Sequence, residues 1–398
     1  MLAWIPYRGY WSTPFARWQG EFAHLHALKF AAHVARAELD RRQIDPTEFD
    51  FAAYGLTVGQ YQSFYGLPWV TAMLGAPHLT GPTISQACAT GVRLLATAAG
   101  EMATGGARRT LVLGADRTSN GPHVYYPAPD GPGGTGRAEN VVLDNFNDDP
   151  HARCAMVDTA ENVARREGIG TEEQHEVVLH RHAQYGRALD DDRAFQKRYM
   201  ATPFDVPDAR FRKVVRQIEG DQGIYATSAE KLAGLRPVRE GGSVTFAGQT
   251  HPADGNAGMV LAASADEAQA LAPQGAPQVA ILAFGQGREE KGFMPAAPIR
   301  ATRRALDRAG LKIDEVNVFK SHNPFAVNDI AFARAFGLDW RQMNNFGSSL
   351  IWGHPHAATA LRGVIEMIEE LETRGGGIGL FQGCAAGDSA MAVLIRVG

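Results

Sequence analysis

Four side chains able to move protons or form covalent bonds stand where an alternating helix–strand chain presents reactive groups. Cys88 lies in PTISQACATGVRLLATAAG, just after an apolar strand-like stretch and at the first turn of a helix. Free amides and the positive dipole end of a helix stabilise a thiolate. They predict a thiol pKa below the usual value of about 8.5, and the same amides can hold an oxyanion. His322 ends the strand VNVFK in SHNPFAVND, and His354 stands in a Gly-His-Pro turn before a helix in SSLIWGHPHAATA. Cys384 occupies a Gly/Ala loop between two strands in FQGCAAGDSA. A nucleophilic thiol needs a base, chemistry at carbon needs a second proton-transfer group, and oxyanions need donors. Two thiols and two imidazoles can fill those roles, and strand ends and helix starts are where an α/β fold places its sites. A Cys₂His₂ zinc site would use the same residues, but positions 88, 322, 354 and 384 lack the close spacing of structural zinc ligands, so no metal is expected.

The elements that must position these residues read as a duplication. AELDRRQIDPTEFDFAAYG from Ala37 and RALDRAGLKIDEVNVFKSH from Arg304 each run from a helix ending in LDR, through a turn, into a β-type segment. DGNAGMVLAAS from Asp254 and AGDSAMAVLIRV from Ala386 read as the closing strand of each half. Between them, Val92, Leu95, Ala99 and Met102 mark one face of a helix over about 88–103, followed by the strand RTLVLGAD. Leu361, Val364, Ile365, Ile368 and Leu371 mark its counterpart before GIGLFQG. The alternation predicts an α/β fold with a mixed, largely parallel sheet covered on both faces. An insertion opens with the Gly/Pro-rich PAPDGPGGTGRAEN, carries the helical VDTAENVARREG and TEEQHEVVLHRHAQYGRAL, and reads as a loop domain over the core. The expected organisation is a first half at 1–117, an inserted loop domain at 118–247, completion of the first half at 248–268 and a second half at 269–398.

Composition narrows the function. The 398 residues are 45% hydrophobic and 21% charged, with 39 basic against 43 acidic side chains and no long basic run, which removes the electrostatic footprint of a nucleic-acid or anionic-membrane binder. Cys88, Cys154 and Cys384 are too few and scattered for a disulfide framework. With no apolar run of about 18 residues and no signal-peptide pattern, a cytoplasmic protein is expected.

Taken together, these segments resemble the thiolase family nearly end to end. STPFARWQG resembles the family's opening RTPFG-type segment, ACATG its CASG nucleophile motif, and MVDTAENVARREGIGTEEQ the MGxTAEN segment of its loop domain. VTFAGQTHPADGNAG is similar to the pantetheine-facing loop, GHPHAATA to GHPxGASG, and GCAAGD to the C-terminal CxGxG segment. The resemblance implies a thiolase-like fold of two duplicated α-β-α halves and an acyl-CoA C-acyltransferase. Cys88 would become S-acylated after His354 removes its proton, and Cys384 would exchange the α-proton of the second acyl-CoA. Backbone amides of Cys88 and Ala386 would form an oxyanion hole, and His322 with His354 would steady the enolate oxygen. Gly248, His251, Asn323 and Phe325 would face substrate or coenzyme A, which acts as a substrate with no permanently bound cofactor.

The chain departs from the commonest pattern in HNPF, which puts His322 where many thiolases have an asparagine, in His251-Pro252 where a serine often meets pantetheine, and in Ala386 where glycine is usual. The variants suggest a branched or aromatic 3-oxoacyl-CoA. They place the chain near the divergent subgroup resembling the benzoylsuccinyl-CoA thiolase large subunit, whose relatives can require a small OB-fold, zinc-ribbon partner. The family further implies a homodimer or a dimer of dimers. The segment GQYQSFYGLPW from Gly59 would pack in a strand or a dimer interface, or shape the acyl pocket. Two other readings use the same features. A ketoacyl synthase III-type condensing enzyme normally lacks the second cysteine, and a non-catalytic acyl-CoA-binding protein would not need all four reactive groups.

Overall fold

The computed structural model describes residues 1–119 and 121–398. In chain order, the elements that matter for the site are β1 (Ala3–Trp4), α1 (Ala27–Arg41), β2 (Phe51–Gly55), α2 (Thr90–Ala103) and β3 (Arg109–Arg117). α3 (Met156–Glu167) and α4 (Thr171–Ala188) belong to the insertion, and β4 (Ala253–Ala262) follows it. The second half supplies β5 (Val279–Arg288), α5 (Ala297–Ala309), β6 (Val318–His322), α6 (Ala326–Phe336), α7 (His356–Thr373), β7 (Gly377–Ala385) and β8 (Ser389–Val397).

These strands join one sheet in the order β6-β7-β8-β5-β1-β4-β3-β2, with Thr83–Ile84 at the far edge. The order reads as two similar sets, β2-β3-β4 and β6-β7-β8, meeting through β1 and β5. That is the geometric form of the duplication read from the paired segments. The expectation of a largely parallel sheet is corrected. Among the described strands of this sheet, parallel ladders are confined to β2 with β3, β2 with Thr83–Ile84, and β6 with β7, while the other ladders run antiparallel. Only a helical crossover returns the chain parallel to its neighbour, and here α2 and α7 supply the crossovers into β3 and β7. The closing strands β4 and β8 instead come back against β3 and β7.

Helices α2 and α7 pack against each other between the two halves. Gly91 makes this approach possible, since a Cβ there would lie 2.8 Å from the Leu361 backbone nitrogen and 2.9 Å from the Ala360 Cβ. The sequence marks one apolar face on α7, yet every residue from His356 to Leu371 is buried. Its polar side chains are therefore paired. The Arg362 guanidinium grips both Asp221 oxygens at 2.6 and 2.8 Å, Glu366 meets Lys320 at 2.9 Å, and Glu369 accepts from Tyr10 at 2.8 Å. Burying these charges is tolerable only because each has partners. Helices α3 and α4 of the insertion lie on α6 of the second half.

Candidate active site

The chain reaches Cys88 through a tight turn. Ala87 takes a left-handed φ of +44°, a conformation costly for a residue with a side chain. The Thr90 hydroxyl holds the turn by accepting from the Gln86 amide at 2.8 Å and donating to the Ala87 carbonyl at 2.7 Å. Helix α2 starts at Thr90, so Cys88 sits just ahead of its first turn rather than within it.

The expected low thiol pKa is also corrected. Burial pushes Cys88 up to about 12, and hydrogen bonds from the backbone amides of Ala386 and of Cys88 itself only partly oppose it. Withdrawing a thiolate from water costs more here than two peptide dipoles return. At rest the group is a thiol.

His322 ends β6 and His354 precedes α7, where the sequence reading put them. Their rings stack with centroids 4.0 Å apart. Cys88 Sγ and one ring nitrogen from each histidine lie within 4.8 Å of one another. Each ring is anchored through Nδ1, at 2.8 Å from Ser349 Oγ for His322 and 2.7 Å from Thr359 Oγ1 for His354. Among the described residues each Nε2 is buried without a protein partner. Burial drives His322 down to about 3 and His354 well below the ordinary imidazole value, so both rings are neutral near neutral pH. A buried imidazole nitrogen without a partner costs stability unless a ligand completes it.

Cys384 differs from its expected setting. It is the penultimate residue of β7, not a loop residue, and it is fully buried. The Asn328 amide donates to its sulfur at 3.3 Å. Burial first, then the neighbouring Cys88, raises its pKa well above the ordinary thiol value. It therefore lies close enough to the first thiol for the two to interact.

The cleft itself has a volume of about 500 Å³, in the range of small-molecule sites. Cys88, Ala386, His354 and Phe325 are among its lining residues, so four of the expected positions face it. His322, Cys384, Gly248, His251 and Asn323 are not among them. The amide of Asn323 is turned inward to Asp329 at 2.7 Å, and its oxygen accepts from Ser349 and Leu350, so this side chain supports the Ser349 that holds His322. The His251 ring points at the Gln222 carbonyl at 3.3 Å, and only its own carbonyl serves the site, accepting from the His354 amide at 2.9 Å. Gly248 closes a short turn beneath the loop whose next residues, Gln249 and Thr250, reach the cleft. In each case a neighbour in the same loop, Gln249, Thr250, Pro252 or Pro324, lines the cleft instead, because the facing of a loop side chain depends on tertiary contacts.

The N-terminal thiolase domain matches residues 10–265 and the C-terminal thiolase domain residues 276–397. The chain belongs to the thiolase family. Similar proteins include the acetyl-CoA acetyltransferase of Pseudomonas aeruginosa, 29% identical with 96% of each chain covered, and that of Escherichia coli, 28% identical with the same coverage. The human mitochondrial 3-ketoacyl-CoA thiolase superposes over 100% of both chains with a TM-score of 0.89 at 24% identity, a likeness of fold.

The thiolase site also holds a residue that the sequence reading passed over. His356 lines the cleft with its ring 4.5 Å from that of His354 and its Nδ1 2.9 Å from Thr57 Oγ1. The available signal was the His-Pro-His spacing in GHPHAATA. Thr57 and Asp116, which support it, carried no local signal.

Proposed function

We propose that Cys88 carries the acyl group in an acyl-CoA C-acyltransferase of the thiolase type. The family supplies the reaction class, and the observation behind the assignment is the meeting of Cys88 Sγ with two neutral imidazoles whose Nε2 atoms have no protein partner among the described residues. His354 accepts the Cys88 proton as sulfur attacks the C3 carbonyl of a 3-oxoacyl-CoA. The C2–C3 bond then breaks, leaving the shortened acyl group on Cys88 and the enolate of the C1–C2 fragment as its CoA thioester. Cys384, kept as a thiol by burial, hands its proton to that carbanion. Coenzyme A next attacks the S-acyl group: its thiol proton passes to the Cys384 thiolate, His354 returns its proton to the departing Cys88 sulfur, and the acyl group leaves as the shortened acyl-CoA. Claisen condensation runs the same steps in reverse.

The amides of Cys88 and Ala386, which already converge on the Cys88 sulfur, are suited to the oxyanion of the tetrahedral intermediate. His322 serves the enolate oxygen once the single Ser349 hydroxyl proton turns from Asn323 Oδ1 to the His322 Nδ1, which leaves the ring proton on Nε2. The apolar cleft wall of Val58, Val142, Phe146, Met156 and Phe325 supports a branched or aromatic acyl group, as does the resemblance to the benzoylsuccinyl-CoA subgroup. Tyr61, Phe64 and Tyr65 lie away from the cleft and are 81%, 93% and 72% exposed, which supports an interface there and a homodimer or dimer of dimers. That segment forms a 3₁₀ turn and a short helix rather than a strand. The subgroup resemblance supports a small OB-fold, zinc-ribbon partner subunit. Three free cysteines suit a reducing, cytoplasmic setting, and no helix among the described residues is long and apolar enough to cross a membrane. A ketoacyl synthase-type enzyme is disfavoured by Cys384 beside Cys88.

The test is a thiolysis screen of straight-chain, branched and aryl 3-oxoacyl-CoAs, with and without the partner, alongside mass measurement of Cys88. A CoA-releasable thioester on Cys88, absent in Cys88→Ala, is expected. Absence of that thioester together with unchanged activity in Cys88→Ala would sink the mechanism.

A further inference from the structure

The His356 side chain is the third imidazole of the site, and the proposed proton transfers leave it unused. Its environment fixes where its proton sits. The Asp116 carboxylate accepts from the backbone amides of Thr57 at 2.8 Å, Val58 at 3.0 Å and Ala357 at 2.9 Å. It also accepts from the Thr57 hydroxyl at 2.9 Å. Four donors on one carboxylate favour its ionised form, even though burial pushes Asp116 up to about 6. An ionised carboxylate can only accept, so the single Thr57 hydroxyl proton is committed to it. Thr57 Oγ1 must then accept from His356, which puts the ring proton on Nδ1. Nε2 is left as a bare lone pair. Unlike the Nε2 atoms of His322 and His354, it is not sealed off without a partner, and His356 is part of the cleft wall.

This arrangement has no evident packing purpose. The His356 ring touches Phe146 and His354, contacts that an apolar side chain would make without a buried Asp–Thr relay behind it. The relay has one chemical consequence, a hydrogen-bond acceptor held in an apolar cleft one ring away from the base beside Cys88. An acceptor in such a place favours a ligand that donates and penalises one that cannot.

We propose that His356 is a specificity-determining residue that selects acyl groups bearing a hydroxyl or N–H donor within a few bonds of the thioester. The inference rests on the thiolase reading of the site and adds the class of acyl group. A pantetheine amide N–H offers the same chemistry, so the test separates the two sources.

The experiment measures calorimetric binding of coenzyme A, butanoyl-CoA, 3-hydroxybutanoyl-CoA and 4-hydroxybutanoyl-CoA to the full chain in a Cys88→Ala background. This readout does not depend on turnover. At least one hydroxyacyl-CoA should bind about tenfold more tightly than butanoyl-CoA. His356→Leu and Thr57→Val should each bring that ratio close to one, while His356→Gln, which keeps an acceptor, should retain part of it. A ratio near one in the Cys88→Ala parent, or a ratio unchanged by His356→Leu, overturns the proposal. Equal weakening of all four ligands by His356→Leu places the contact on pantetheine and overturns the acyl assignment. Failure of Cys88 acylation in the otherwise unsubstituted protein would instead count against the catalytic reading, leaving the binding ratio to judge His356.

Discussion

Lowering the pH from about 7 to about 5 should destabilise this protein through its histidine cluster, and the size of the effect follows from burial. His322 is pushed down to about 3, His356 to about 4, and His354 well below the ordinary value, in each case chiefly by burial. A group whose folded pKa is depressed takes up its proton first in the unfolded chain. Stability is then complete above the unfolded value of about 6.5 and is lost as the pH falls below it toward the folded value. Each ring loses about 2 kcal/mol over this interval, or roughly 6 kcal/mol for the three. Asp116 and Asp254 act in the opposite direction. Burial raises both to about 6, so the folded chain gains their protons before the unfolded one. That returns about 1.4 kcal/mol each. The net loss from these five groups is about 3 kcal/mol. Urea titrations followed by tryptophan fluorescence at the two pH values measure it directly. His356→Gln should remove about 2 kcal/mol of the histidine term and flatten the dependence. An unchanged or higher midpoint at pH 5, or an identical pH slope in His356→Gln, would refute the argument that these rings are buried neutral.

Two further predictions follow from the packing of α7. Gly91→Ala places a Cβ against the Leu361 backbone and the Ala360 side chain, so α2 and α7 must separate. A stability loss of about 2 kcal/mol is expected by denaturant titration, together with a fall in kcat, because these two helices carry the Cys88 and His354 turns. Arg362→Met removes the partner of Asp221 and Glu366 from a fully buried site, and about 3–5 kcal/mol of destabilisation is expected by the same measurement. A near-neutral result would mean that water reaches the pair.

Much of the molecule was legible without coordinates because local chemistry encodes it. The Gly-His-Pro turn, the strand ending at His322 and the helix after Cys88 are set by short-range patterns, and the paired segments at Ala37 and Arg304 announced the duplication. Motif order along the chain likewise sufficed for the family. What local pattern could not supply was anything that depends on which surface meets which. One apolar stripe on α7 gave no sign that both halves would enclose it and bury Arg362, Glu366 and Glu369. A helix start beside Cys88 predicted a lowered pKa, but desolvation by distant residues reversed the sign. Asn323 and His251 sit in the expected loops yet turn away from the cleft, since loop facing is decided by partners such as Asp329 and Gln222. The relay of Asp116, Thr57 and His356 joins three separated segments, and only the packing of β3 and the start of α7 around Thr57 brings it together. Sequence determined which reactive groups exist and in what order, whereas burial and long-range contact decided their protonation and their direction.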